Sequence, residues 1–279
     1  MFSFKLAKTT AVAGVLVLGS AVGFSTDVSA ATSNALATIN WGSFTITPIG
    51  SVEISFGALA DTTVASAASN GVNPLVTAGP NVTPNWDDGS FASAETGNVN
   101  YNGSSTAQTP VLVLGSPTGV FQSESHTFSQ AAGWTVDVGS TATRGFDFTV
   151  LGSGLVAFSV DYTLFVEAGD GGTSLANDTA GATARVSALL SNLTNNASPL
   201  GTSTANIGAS FDIAALNFGS IDSAASTLAV VMFFNDGDLG HLDISAETSA
   251  VTSSPIPLPA AGWLLGASLV MLARRRRVC

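Results

Sequence analysis

VAFSVDYTLFV, residues 156–166, sets Val156, Phe158, Val160, Tyr162, Leu164 and Val166 at strict period two, with Ala157, Ser159, Asp161 and Thr163 between them. Successive side chains of a β-strand point to opposite faces, so this spacing predicts a strand with one buried and one mostly wet face. Gly152-Ser153-Gly154 before it and Gly169-Asp170-Gly171-Gly172 after it are turn chemistry. The same alternation recurs in Val52, Ile54, Phe56; Trp134, Val136, Val138; Phe146, Phe148, Val150; Ala184, Val186, Ala188, Leu190; and Leu242, Ile244, Ala246. The continuous apolar run Leu228 to Phe234 predicts a strand buried on both faces. Many short strands separated by Gly, Asn and Ser turns, with no helix pattern, argue for an all-β chain: an antiparallel β-sandwich, jelly-roll-like in form.

One stretch departs from that rhythm. Residues 57–108 are rich in Ala, Ser, Thr, Asn and Gly with few aromatics (Trp86, Phe91, Tyr101). Their composition predicts short edge strands joined by long loops rather than long regular strands.

The ends read as addresses. Lys5 and Lys8, the apolar run Ala11 to Gly23 and the small residues Val28-Ser29-Ala30 have the order of a secretory signal peptide over residues 1–30, cut between Ala30 and Ala31. At the other end, residues 255–279 hold Pro255, Pro257 and Pro259, an apolar segment over 260–273, and Arg274, Arg275, Arg276 and Arg277. Alternating prolines favour an extended, accessible strip. The 14-residue apolar segment would span about 21 Å as a helix against a hydrocarbon core of about 30 Å, which makes a short transmembrane helix. Arginines directly behind it stay cytoplasmic, so the body at 31–254 is exported.

Ile256-Pro257-Leu258-Pro259-Ala260, with Trp263, Leu264 and the arginine block behind it, resembles the VPLPA variant of the PEP-CTERM sorting signal. The resemblance covers about a tenth of the chain. It implies processing by an exosortase, a membrane-embedded transpeptidase-like enzyme of Gram-negative bacteria that make extracellular polysaccharide. The chain would then cross the inner membrane, be held there transiently by its tail, and end at the cell surface or in the extracellular matrix. Arg144 to Gly154, the strand bearing Asp161-Tyr162 and the Ala-rich stretch from Ala182 to Leu193 are similar to the β-sandwich ectodomains of PEP-CTERM proteins. That likeness implies fold and location, and no activity.

Removing both ends changes the charge. The body keeps Arg144 and Arg185, no lysine, and 18 of the 19 acidic residues, a net charge of −16. Such a surface repels nucleic acid and leaves divalent cations or neutral and cation-bridged polymers as partners. Cys279, the one cysteine, lies behind the arginines, so the body has no disulfide. Its core alone must supply stability.

Candidate chemistry is sparse. Asn235-Asp236-Gly237-Asp238, with Asp243 nearby, sets oxygen ligands in a tight turn, which suits either calcium or a plain solvated hairpin. The EF-hand spacing and terminal Glu are missing. Asp87-Asp88 after Trp86 form a second acidic loop, and Trp86 is a candidate for stacking on sugar rings, while Trp134 alternates with core residues. Glu124 and His126 share a strand face, but His241 is far away in sequence. No Gly-x-Ser-x-Gly elbow and no exported thiol is present. The sequence therefore reads as a non-enzymatic exported structural or interaction protein linked to exopolysaccharide. The alternatives are a carbohydrate-binding module and, last, a secreted hydrolase.

Overall fold

The computed structural model describes residues 31–69, 80–81, 89–98, 101–113, 116–118, 120–129, 134–170, 178–194 and 201–254. The signal peptide, its Ala30 cleavage position, the sorting motif, the apolar helix and the arginine block all lie outside those residues, as do Trp86, Asp87 and Asp88. The strands are β1 (Ala31–Gly50), β2 (Glu53–Ser69), β3 (Pro80–Asn81), β4 (Phe91–Asn98), β5 (Tyr101–Gln108), β6 (Val111–Val113) and β7 (Ser116–Thr118). They continue as β8 (Phe121–Ser129), β9 (Trp134–Leu151), β10 (Gly154–Gly169), β11 (Thr179–Asn192), β12 (Gly201–Asp212), β13 (Gly219–Phe234) and β14 (Leu239–Ser254).

Two six-stranded sheets face each other. The first has the order β13-β10-β1-β8-β5-β4 and the second β12-β11-β14-β9-β2-β3, while β6 and β7 form a separate pair. Every strand pair is antiparallel. The chain is a two-sheet antiparallel β-sandwich. The period-two stretch at 156–166 is the middle of β10, and its six large residues all face the core.

The core has two halves because the inward residues differ in size. Toward the β9–β10 turn it is aromatic: Phe148 packs on Phe158 and Phe234, and Phe146 on Phe158, at centroid distances of 5.4–6.1 Å. β1 slips register between Asn40 and Thr45 against β10. This irregularity, held by Ser43 Oγ, which donates to Asn40 O (2.7 Å) and accepts from the Asp161 amide (2.8 Å), brings Trp41 and Phe44 into parallel contact at 4.6 Å. Toward the other end the inward residues are Ala, Ser and Thr, short enough for hydroxyls to bridge the sheets. Ser123 Oγ of β8 reaches Ser140 Oγ (2.6 Å) and Thr248 Oγ1 (2.9 Å) of the facing sheet. The sheets come so close there that a Cβ on Gly103 would lie 2.6 Å from both Val136 and Val138 methyls.

Three expectations need correction. Residues 57–69 continue a 17-residue regular strand, β2, because small residues are well suited to the closely packed half of the sandwich; β4 and β5 do form an edge of the first sheet. The run Leu228 to Phe234 is buried on one face only: Val231 and Phe233 are 53 % and 55 % exposed, since they point to the outer face of their sheet, over which nothing is described. Trp134 is half-buried rather than core, stacked on Tyr101 at 4.2 Å at the mouth of the sandwich.

The ends of the body meet. Ala31 pairs with Ser129, and Ser254 Oγ donates to the Ser129 carbonyl (3.3 Å). The turns at 152–153 and 235–238 occupy the opposite end, tied together where the Gly152 amide donates to Asp236 Oδ1 (2.6 Å).

Candidate functional site

The outer face of the second sheet carries a trough of about 680 Å³ across five strands. Cross-strand register explains its contents. Asn206 of β12, Arg185 of β11, Glu247 of β14, Thr141 of β9 and Val64 of β2 stand in one row. The adjacent row contains Gly208, Thr183, Ser249, Gly139 and Ser66. Where that row has glycine there is no side chain to fill the space, so the floor lies at backbone level. Each residue faces outward because its neighbours in sequence alternate inward, as Ala184 and Val186 do around Arg185.

Arg185 and Glu247 meet at 3.8 Å with side chains 52 % and 41 % exposed. A pair this loose and wet contributes about 0–1 kcal/mol, so both groups stay available to a ligand. The remaining polar lining is hydroxyl and amide, which both donate and accept.

Further along the same face, His241 of β14 is held between two carboxylates. Its Nδ1 lies 2.6 Å from Asp147 Oδ1 and its Nε2 3.0 Å from Asp243 Oδ1. Asp147 is its cross-strand partner on β9, and Gly145, opposite Asp243, leaves the room: a Cβ there would collide with Asp243 Oδ1. The Asp243 hydrogen bond, followed by that to Asp147, raises the imidazole pKa to about 9, against partial burial that lowers it. With an unfolded value near 6.5, this group contributes stability that is fully present below pH 6.5 and is lost as pH rises through about 9. The stability difference between the native protein and His241→Gln, measured by urea unfolding, is expected to be largest near pH 6 and to shrink by pH 10. A difference constant across that range would show that the imidazolium contributes nothing.

The other residues singled out in the sequence do different work. Asp238 Oδ2 accepts from the Asn235 amide (2.8 Å) and Asn192 Nδ2 (2.8 Å), while Asp236 Oδ1 accepts from the Gly152 amide. The Asn235 amide holds the Asp238 carboxyl below the usual carboxylate range. These carboxylates fasten the β13–β14 turn to its neighbours, and Gly237 supplies the positive φ of 83° the turn requires. Asp243 belongs to the His241 cluster rather than to that turn. His126 Nδ1 contacts Asn34 Oδ1 across β1, Asn34 Nδ2 donates to Glu167 Oε2 (3.1 Å), and burial lowers the His126 pKa. Glu124 shares its strand face, on the opposite sheet from the trough. Among the described residues no group of three His, Cys, Asp or Glu side chains is arranged to hold a metal ion.

Sequence reasoning missed the trough and the His241 clamp. Alternation around Arg185 and His241 shows that both face outward, but Asp147 is 94 residues from His241, and only the strand order brings them together. No family model matches the chain, and neither a curated protein nor a solved structure is similar to it.

Proposed function

We propose that this chain is an exported β-sandwich that binds an extended polysaccharide along the trough of its second sheet. The observation that carries the reading is the trough itself: an open channel across five strands, floored by backbone and lined by hydroxyls, an amide, one arginine–glutamate pair and the apolar side chains of Val64 and Ile207. Sugars present dense, alternating donors and acceptors, and such a lining matches them without requiring a deep apolar cavity. The turn at Asn235–Asp238, the calcium candidate of the sequence, has its carboxylates engaged by backbone amides.

The export route and the jelly-roll-like kinship belong to the same proposal. Successive strands cross repeatedly between the sheets, as β8, β9, β10 and β11 do, which supports a jelly-roll-like sandwich. Ala31 and Ser254 leave from one end, so a leader and an exosortase-cut tail would both sit at the membrane side. The trough would lie along the flank, accessible to matrix polymer at the cell surface.

Affinity electrophoresis in gels containing extracellular polysaccharide tests the binding. Gly208 has no positive φ, and a Cβ there would make only ordinary contacts at 3.7 Å and beyond. Gly208→Phe should therefore fold normally and obstruct the channel. The native protein is expected to be retarded and Gly208→Phe to run freely, while equal migration with and without polymer would overturn the reading. The export arm is checked by intact mass of protein recovered from cells: a species beginning at Ala31 and ending between Pro257 and Ala260 is expected, and a chain intact through Cys279 would refute processing.

A further inference from the structure

We infer that the polysaccharide taken by the trough carries carboxylate groups, and that Arg185 is the residue that selects them. This inference rests on the trough being the glycan site and names the chemical class of its ligand.

The argument begins with the scarcity of cations. Residues 31–254 contain two arginines and no lysine against 18 acidic residues. Arg144 is fully buried, with its guanidinium committed to Asp61 and the Pro110 carbonyl. His241 is held between two carboxylates. Arg185 is thus the only solvent-facing guanidinium of the body, and it stands in the trough between Asn206 and Glu247. A neutral glycan needs no such group. A cationic ligand would be repelled by it and drawn to the many acids elsewhere.

Geometry favours a planar anion. Guanidinium offers a rigid fork of donors that fits a carboxylate bidentately. Glu247 occupies this fork only at the limit of contact, 3.8 Å, so a ligand carboxylate can bind it without breaking a strong pair. Asn206 and Glu247 flank Arg185 in its row, with Thr183 and Thr204 close by in the lining, and these take the neighbouring sugar hydroxyls. The net charge sets an upper limit as well: a densely charged polyanion is repelled by the body as a whole. High salt screens that repulsion while weakening the exposed Arg185 contact.

The test uses the purified full-length chain with two probes of identical backbone, polygalacturonate with most of its carboxyl groups methyl-esterified, so that charge is sparse, and the same polymer after reduction of its remaining free carboxyl groups. A solvent-exposed ion pair is worth up to about 1 kcal/mol, so the native protein is expected to prefer the acidic polymer by up to about fivefold in Kd. Arg185→Gln is expected to bring the ratio to about one, and Arg185→Lys, which keeps charge but loses the fork, to leave it in between. Arg185 is exposed on a sheet surface, and unchanged circular dichroism would confirm that the variants fold. Equal affinity of the native protein for both polymers, or a preference that survives in Arg185→Gln, overturns the inference; if binding is then still abolished by Gly208→Phe, the trough remains a glycan site without acid selection. If neither polymer binds, the glycan reading fails, and this inference fails with it.

Discussion

Asp61→Ala is expected to destabilise the protein by about 3–5 kcal/mol, because it leaves the Arg144 guanidinium buried without its counter-charge. For a body of this size that corresponds to a fall in Tm of about 10 °C. Asp61 and Arg144 are direct cross-strand partners on β2 and β9. Arg144 Nε donates to Asp61 Oδ1 (2.8 Å) and Nη2 to Asp61 Oδ2 (2.5 Å), with Nη2 also reaching the Pro110 carbonyl (2.6 Å). Thr109 Oγ1 donates to the same carboxylate (2.7 Å) and accepts from the Ser90 amide (2.8 Å). One ion pair therefore fastens the segments beside β4 and β5 of the first sheet onto the second. The double variant Asp61→Leu, Arg144→Met should recover most of the loss, because a buried pair costs desolvation that well-packed apolar groups avoid. Thermal unfolding of both variants checks this, and a single variant as stable as the native protein would show the pair to be dispensable.

Trp41→Ala is the second large effect, about 3–5 kcal/mol. Its ring stacks on Phe44 at 4.6 Å, meets Phe121 edge-on at 5.9 Å, and lies beneath the Arg144 guanidinium at 5.2 Å. Truncation removes an aromatic from the core and one face of the arginine's enclosure, where Nη1 already lacks a hydrogen-bond partner among the described residues. Trp134→Ala, which removes a half-buried ring stacked only on Tyr101 among the described aromatic contacts, should cost less than half as much. Urea midpoints for the two variants decide the matter, and equal losses would contradict this division of the tryptophans.

The two arginines show where sequence reading stops. Arg144 and Arg185 both sit in alternating stretches, and the composition treats them as equal members of a charge count. Alternation places Arg185 outward, between Ala184 and Val186. It places Arg144 inward, in the series of Ala142, Phe146 and Phe148, where a guanidinium is tolerable only beside a counter-charge, and that partner, Asp61, is 83 residues away. The same limit applies to Phe44 and Ile46, which pack against the core because a register slip against β10 shifts the inward parity after Trp41, a change that local spacing does not announce. It applies again to Val231 and Phe233, which read as buried and are exposed because they point to the outer face of their sheet, over which nothing is described.

From the sequence by itself came the all-β class and, for the strands with clear alternation, their centres and inward faces, because period two is a local property of extended backbone that needs no partner. It also supplied the acidity of the body and the expectation of an exported, trimmed chain. Only the tertiary structure decided strand order, and with it everything that depends on two distant residues sharing a row: the buried Asp61–Arg144 pair, the clamp on His241, and the trough with Arg185 at its centre. Hydrogen-bond ladders accept almost any neighbour, so the choice among them is made by side chains that meet only after the sheets have closed.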